Sequence, residues 1–276
     1  MLERAKSATS FARRLATSCL ADECLFLAGG VAYQLFFALI PLLALVVGVL
    51  GFVYGSDRAQ RELAQLLREI YPSASQQEVR IARELVDGRA LSLGIGVVGT
   101  IFATSAVFSS IDTALAAVLK GGKRRSIVRG YVSSFSFVGG IALMAVASFA
   151  LSYGAQAAQG ALTDAGLGRT ARTVIAIGSP LLGLAAGFAF FYVIYRYVPR
   201  TRVSVRAARS AALVSAVLWE VAKVAFGFFT RALGTFSAYG PLAFAAGLLT
   251  WVYLTAVIIL IGAEVIKLRT ASPASA

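Results

Sequence analysis

Long runs of apolar residues divide this chain into segments that water-soluble folds do not use. Two of the runs, 25–55 and 241–266, contain almost no charged residues, and about 20 apolar residues are enough to cross the hydrocarbon core of a bilayer. Only 14% of all residues are charged, against roughly 25% in a typical soluble domain. The runs are continuously apolar rather than alternating, which excludes a transmembrane barrel. The sequence therefore predicts an all-α, polytopic membrane protein.

Six membrane-spanning helices are predicted, because helices satisfy every backbone hydrogen bond inside lipid. The predicted spans are about 25–54, 91–119, 130–155, 172–196, 209–231 and 241–267. The first apolar run is too long for a signal-peptide core of about 7–15 residues, so we expect it to stay in the protein as an anchor. Residues 1–276 are predicted to form a single membrane domain, with residues 1–24 as a cytoplasmic amphipathic helical segment.

The basic residues predict the orientation of the spans. The net charge is +13, and the loops after the second and fourth spans carry several basic residues and no acid. The basic residues that precede the first span or lie in these two loops are Arg4, Lys6, Arg13, Arg14, Lys120, Lys123, Arg124, Arg125, Arg129, Arg196, Arg200, Arg202, Arg206 and Arg209. Cytoplasmic loops of membrane proteins carry such an excess of Lys and Arg. The pattern predicts cytoplasmic N- and C-termini, and it indicates membrane lipids rather than nucleic acid as partners.

The loop at 56–90 differs from the others because its six arginines are balanced by six acids. Its first half places Leu63, Leu66, Leu67 and Ile70 on one helical face. A second helix is predicted from a capping box at Ser75 to Glu78 until about Gly88. We expect an external amphipathic helical hairpin that lies on the membrane surface or caps the bundle.

Three stretches carry motifs that are familiar in one bacterial family. The stretch 29–51 contains Ala-Tyr followed by Pro-Leu-Leu, and 195–229 contains Tyr-Arg-x-x-Pro and the helix after it. The most specific stretch is 239–265, through Tyr239, Gly240, Trp251, Tyr253, Gly262, Ala263 and Glu264. Together they resemble the YihY/BrkB family of membrane proteins, whose older label is ribonuclease BN. Ala38 stands where that family usually has serine, and Arg200 where it usually has asparagine.

The resemblance covers most of the chain. It implies six spans, a location in the bacterial inner membrane and a link to envelope or serum-resistance phenotypes. It does not imply a settled activity.

The residue types present argue against catalysis and against metal or cofactor binding. The chain has no histidine, which is both the commonest metal ligand and the commonest general base. Its two cysteines, Cys19 and Cys24, are too few for a zinc site of four ligands. We therefore expect no enzymatic activity, no metal and no cofactor, with ribonuclease activity included in this exclusion. The two thiols are expected to be reduced packing residues.

A charged pair in the fifth span is the strongest functional signal. Glu220 lies eleven residues from both Arg209 and Arg231, or about 16 Å at 1.5 Å per residue, which is close to the bilayer midplane. A charge at that depth costs at least ~2.5–3.5 kcal/mol on insertion scales. The i, i+3 spacing of Glu220 and Lys223 lets the two charges neutralise each other on one face. Because Ala216 and Gly227 extend this face with small residues, we expect it to point into the bundle.

Three further residues suggest a polar interior. Asp112 lies in the second span without a nearby basic residue of that span, so a proton-linked role and a hydrogen-bonded structural role both remain open. Pro41 and Pro180 are predicted to kink the first and fourth spans by freeing a backbone carbonyl each. Freed carbonyls in a membrane face protein or a wet cavity. We therefore expect a polar interior lined by spans one, two, four and five.

These features favour transport or translocation of an amphiphilic or anionic substrate, either a lipid or a small solute. Glu220, Lys223 and Asp112 are the candidate substrate or coupling residues. The alternative is a non-transporting envelope or scaffold protein, in which the same charges hold helices together. Neither the substrate nor an oligomeric state is predicted.

Overall fold

The computed structural model describes residues 2–54, 89–121, 168–234 and 240–270. These residues form six helices and, within the described part, no strand. The helices are α1 (Leu2–Ala21), α2 (Cys24–Tyr54), α3 (Arg89–Val118), α4 (Gly168–Tyr197), α5 (Val205–Gly234) and α6 (Gly240–Thr270). The all-helical prediction is confirmed for these residues. The predicted third span at 130–155, and the predicted hairpin at 56–90 apart from its last two residues, lie outside them.

Five predicted spans coincide with described helices to within a few residues at each end. Four helices of the described part contain stretches that are long and apolar enough to cross a membrane: Cys24–Leu42, Leu93–Val118, Val205–Phe229 and Ala245–Thr270. Helix α4 covers the predicted fourth span. Helix α1 matches the predicted N-terminal helical segment, with Phe11 and Leu15 turned toward the core and Arg13 and Arg14 exposed.

Helix α6 is the centre of the described bundle. It packs against α1, α2, α3, α4 and α5, whereas α2 packs mainly on α3, and α4 on α5. Lipid tails are as apolar as leucine, so such helices associate through close packing and hydrogen bonds rather than through the hydrophobic effect. Accordingly, many fully buried positions of α5 and α6 are small, including Ala208, Ala211, Ala212, Ala216, Ala256 and Ala263.

Glycines bring α2 and α3 into near backbone contact. A Cβ atom on Gly96 would lie 2.5 Å from the backbone nitrogen of Leu45, and one on Gly48 would lie 2.8 Å from the Cα of Leu93. Likewise, a Cβ atom on Gly99 would lie 2.7 Å from the Cβ of Pro41. Helix α2 runs without interruption through Pro41, and Gly99 provides the space that the proline ring occupies.

Several helix ends meet at one end of the bundle. The last turn of α1 and the first residue of α2 contact α6 near its C-terminus, through Ser18 and Cys24. The loop after α4 contacts α3 near its C-terminus through Arg200. This loop leads into α5, whose first turn is capped by Ser204, the acceptor for the backbone N–H of Ala207 at 3.2 Å. The polar contacts described below lie mostly toward this end.

Candidate functional site

Glu220 and Lys223 form the ion pair that their spacing predicts. Lys223 Nζ lies 2.7 Å from Glu220 Oε1, with side-chain exposures of 42% and 28%. Helix α5 continues for eleven or more residues on either side of Glu220, so the pair lies near the middle of a membrane-length helix. Within the described part of the chain, Glu220 Oε1 has no hydrogen bond besides this ion pair.

Helix α4 accommodates the pair because it has a glycine at the point of contact. A Cβ atom on Gly183 would lie 3.0 Å from Glu220 Oε1 and 3.2 Å from Lys223 Nζ. One turn further along α4, Gly187 packs on Ala216 and Trp219 of α5. The small residues of α4 thus let α5 approach closely at the charged pair.

The expectation that this face of α5 points entirely into the bundle is only partly right. Ala216 is fully buried. Gly227, which the same face was expected to bury, is exposed, and a Cβ atom there would meet nothing within 4 Å. The charged pair therefore lies where this face passes from the buried core to the exposed surface.

Asp112 has a basic partner that its own span does not contain. Arg200, in the loop after α4, donates from Nε to Asp112 Oδ2 at 2.9 Å, and its terminal nitrogen lies 2.8 Å from the same oxygen. The side chains of both residues are nearly buried, with exposures of 12% for Arg200 and 10% for Asp112. The sequence shows no basic residue near Asp112 in its own span, and the partner comes instead from a loop 88 residues away in sequence.

The structure separates the predicted site residues into two places. No hydrogen bond or ion pair among the described residues joins Asp112 to Glu220 or Lys223. Among the described helices, α2 pairs with α3 and α4 with α5, and α6, which the predicted interior did not include, lies against both pairs. Pro41 packs on Gly99, and α4 continues as a helix past position 180, whose side chain is outside the described part.

A further polar cluster joins α1, α2 and α6, and sequence reasoning missed it. We call it the α6 cluster; it consists of Ser18, Asp22, Cys24, Glu264 and Lys267. Ser18 Oγ donates to Glu264 Oε2 at 2.7 Å, Cys24 Sγ lies 3.7 Å from Oε1, and Lys267 forms a close ion pair with Asp22. Glu264 and Lys267 have the i, i+3 spacing that drew attention to Glu220 and Lys223. That spacing is the signal that could have found this cluster.

Asp22 precedes the first span, and its charge is stabilised within the α6 cluster. Partial burial opposes ionisation, but the hydrogen bond and the positive charge of Lys267 outweigh it, so the pKa of Asp22 is lowered below its ordinary value. Lys120, which follows α3, contributes to the same lowering. Positive charges at the ends of α6 and α3 thus both act on Asp22.

A buried hydroxyl network links α4, α5 and α6. Tyr195 OH donates to the backbone oxygen of Ile259 at 2.9 Å and lies 2.7 Å from Ser215 Oγ. Both side chains are fully buried. Gly262 allows this arrangement, because a Cβ atom there would clash with Tyr195 OH and Ser215 Oγ. Gly262 therefore has a packing role at the point where three helices meet.

Long apolar helices, close packing through small residues and buried ion pairs define a multi-pass helical membrane protein. Comparison with known proteins identifies the family. The chain belongs to the family described as Virulence factor BrkB, whose model matches residues 15–273, and this confirms the resemblance seen in the sequence.

The relatives found by comparison are also described as membrane proteins. The chain is 28% identical over 246 residues to a UPF0761 membrane protein of Alkalilimnicola ehrlichii, covering 88% of this chain and 54% of the relative. It is 26% identical over 241 residues to one of Rhodospirillum centenum, covering 87% and 52%. For one of Pseudoalteromonas translucida, the identity is 25% over 257 residues, covering 89% and 81%. The chain thus spans about half the length of the first two relatives. No solved structure matches it significantly.

Proposed function

We propose that this protein moves an anionic amphiphile, a lipid or a small organic anion, across the membrane. The observation that carries the proposal is the half-exposed, positively charged side chain of Lys223 near the middle of a membrane-length helix. In lipid, a charged side chain at this depth is costly and in most proteins marks a substrate or ion pathway. Leucine at both positions would avoid that cost.

The setting of the pair supports binding of an anion. Glu220 neutralises Lys223 when no substrate is present, and an anionic group that reaches Lys223 would compete with Glu220 for the ammonium. Gly183 lets both charged groups lie against α4, because a Cβ atom there would come within 3.2 Å of each of them. An amphiphile could therefore place its charged group at Lys223 while its tail lies along exposed apolar residues of α5, such as Val217, Val221 and Val224.

We assign Asp112 a structural rather than a proton-carrying role in this function. Arg200 contacts one of its carboxyl oxygens through two nitrogens. The pair fastens the loop between α4 and α5 to α3. Proton coupling through Asp112, the other role open from the sequence, would require this contact to break in each cycle.

Reconstituted liposomes test the proposal. We expect pH- or gradient-dependent movement of a fluorescent anionic phospholipid or a small organic anion with the unaltered protein, and at least a tenfold loss with Lys223→Ala. Leu249→Ala, on α6, is the matched control, because it shortens an exposed apolar side chain outside the proposed path and leaves the charges intact. Movement that is absent with the unaltered protein, or unchanged in Lys223→Ala, would contradict the proposal.

The alternative is a scaffold protein, and the ion pairs that join a helix to a distant loop or turn, Asp112 with Arg200 and Lys267 with Asp22, favour it. A double-mutant cycle on Glu220 and Lys223 separates the two functions. If the pair serves stability alone, Glu220→Ala and Lys223→Ala should each lower stability more than the double substitution does, because a single change leaves one charge unpaired. The double variant would then support normal growth under envelope stress. A transporter would lose its function in the double variant as well.

We also propose a cellular location and an orientation for this protein. The family resemblance and the basic loops support a location in the bacterial inner membrane, with both termini in the cytoplasm and a contribution to envelope integrity. We propose no enzymatic activity and no bound cofactor, since the chain offers no histidine and its described membrane acids, Asp112, Glu220 and Glu264, lie in three separate helices.

A further inference from the structure

Glu264 is the most deeply buried acid of the described chain, with no exposed surface. Among the described residues, the groups that donate hydrogen bonds to it are neutral: the Ser18 hydroxyl at 2.7 Å from Oε2 and the Cys24 thiol at 3.7 Å from Oε1. A carboxylate buried among neutral groups lacks the compensation that water would provide. The environment therefore favours the uncharged acid unless a cation pairs with it.

The cation nearby is already engaged. Lys267 Nζ forms its closest contact with Asp22, donates to Ser18 Oγ at 3.2 Å and lies 3.5 Å from Glu264 Oε2. Two carboxyl groups thus share one ammonium. If both were ionised, the cluster would hold a net charge of −1 in a largely buried place, and one bound proton makes it neutral. Glu264 is more buried than Asp22 and lies farther from Lys267, so the proton belongs on Glu264 rather than on Asp22.

We propose that Glu264 is a proton-binding site, which holds a proton at neutral pH while Asp22 carries the charge that pairs with Lys267. The step is a simple association: the proton binds a carboxylate oxygen of Glu264 from water and returns to water when it leaves. Asp22 and Lys267 are partly exposed, at 19% and 24%, so they connect the buried carboxyl with solvent at this end of the bundle.

Polar and titratable groups from α1, α2, α6 and the end of α3 surround the site. Helix α1 and its following turn present Ser18, Cys19 and Asp22, α2 presents Cys24, α6 presents Lys267, and Lys120 at the end of α3 acts on Asp22. The lowered pKa of Asp22 agrees with an ionised partner for Lys267. This site goes beyond the proposed function and does not rest on it.

Infrared spectroscopy of the purified, full-length protein tests the site, because a protonated carboxyl gives a C=O band that a carboxylate lacks. We expect such a band at neutral pH, its loss as the pH is raised, and its absence in Glu264→Gln, which keeps the shape of the side chain. Asp112→Asn, in α3, is the matched control, because it removes the other buried acid of the described residues and should leave the band unchanged. Persistence of the band in Glu264→Gln, or its loss in Asp112→Asn, would overturn the proposal.

Two further variants keep the test decisive if Glu264→Gln does not fold. Glu264→Asp retains a carboxyl group and should shift the band without abolishing it. Asp22→Asn frees Lys267 for Glu264, so the band should disappear at a lower pH than in the unaltered protein. An unchanged band in both variants would contradict the site. The spectra need no substrate, so a failure to observe anion movement in liposomes would contradict the proposed function and leave this site standing.

Discussion

Acidic side chains in the described membrane helices each lie against a basic one, but the partners come from different distances along the chain. Glu220 and Lys223 are neighbours on one helix, whereas Asp112 and Arg200 join a helix to a distant loop. Breaking a buried pair leaves an uncompensated charge, which costs more than the pair gains by forming. Asp112 and Arg200 form the more buried pair, so single substitutions there should lower stability more than those at Glu220 and Lys223.

At Arg200, we expect Arg200→Ala to lower the free energy of unfolding by about 3–5 kcal/mol, as is typical for a buried pair that loses one partner. The double variant Arg200→Ala with Asp112→Ala should lose less than the sum of the two single changes. Unfolding of the detergent-solubilised protein measures both. Arg202→Ala, at an exposed neighbouring position, is the control and should change stability by no more than about 0.5 kcal/mol. Additive effects at Arg200 and Asp112 would contradict an interaction between them.

At Asp22, the lowered pKa predicts a dependence of stability on pH. A group whose pKa is lower in the folded state stabilises the protein above its unfolded pKa of about 4, and this contribution disappears as the pH falls through the folded value. The unaltered protein should therefore melt at a higher temperature than Asp22→Asn at pH 7, and the difference should shrink as the pH falls below about 4. Glu23→Gln, at the exposed neighbouring position, is the control. A difference that grows on acidification would contradict the assignment.

At the scale of the helices, small residues decide where two helices touch. Gly96 and Gly94 lie on the same helix, two residues apart, and only Gly96 meets the backbone of α2. In α4, Gly183 and Gly187 are four residues apart, and both lie against α5. A GxxxG motif marks residues that permit close approach, but the partner helix follows only from the packing.

The two glycines of α3 provide a matched test. Gly96→Ala places a methyl group 2.5 Å from the backbone of Leu45, and such overpacking costs about 1–3 kcal/mol. Gly94→Ala meets nothing within 4 Å, so it should be neutral or stabilise the helix by up to about 1 kcal/mol. Thermal melting of both variants in the same detergent compares them. Equal effects of the two substitutions would show that α2 and α3 do not pack as described.

At the scale of the whole molecule, the described contacts bring the ends of α1, α3, α4 and α6 and the starts of α2 and α5 toward one end of the bundle. Lys120 and the basic loop that follows α4 lie at this same end. This arrangement agrees with the alternation of basic and poorly charged loops along the sequence. Because cytoplasmic loops are rich in Lys and Arg, we expect this end of the bundle to face the cytoplasm.

Cysteine labelling in intact cells tests that orientation, in a background with Cys19→Ser and Cys24→Ser. A cysteine at Lys123 should react with a membrane-impermeant thiol reagent only after the cells are opened. A cysteine at Arg68, in the predicted external hairpin, should react in intact cells. Labelling of position 123 from outside would overturn the topology.

Much of the helical architecture could be predicted from the sequence because it depends on local properties. An uninterrupted apolar run of about 20 residues must become a helix in lipid, whatever lies beside it. The spacing of Glu220 and Lys223 determines their contact for the same reason, since residues three apart share one face of any α-helix.

Only the tertiary structure decided which helices meet and which charges pair across them. The contact of Arg200 with Asp112 joins residues 88 positions apart, and that of Ser18 with Glu264 joins residues 246 apart. Hydropathy does not distinguish the faces of helices that are apolar on all sides, so it did not show that α6 lies at the centre. Burial removes water as an alternative partner for each polar group, and the positions of the neighbouring helices then determine which polar group takes its place.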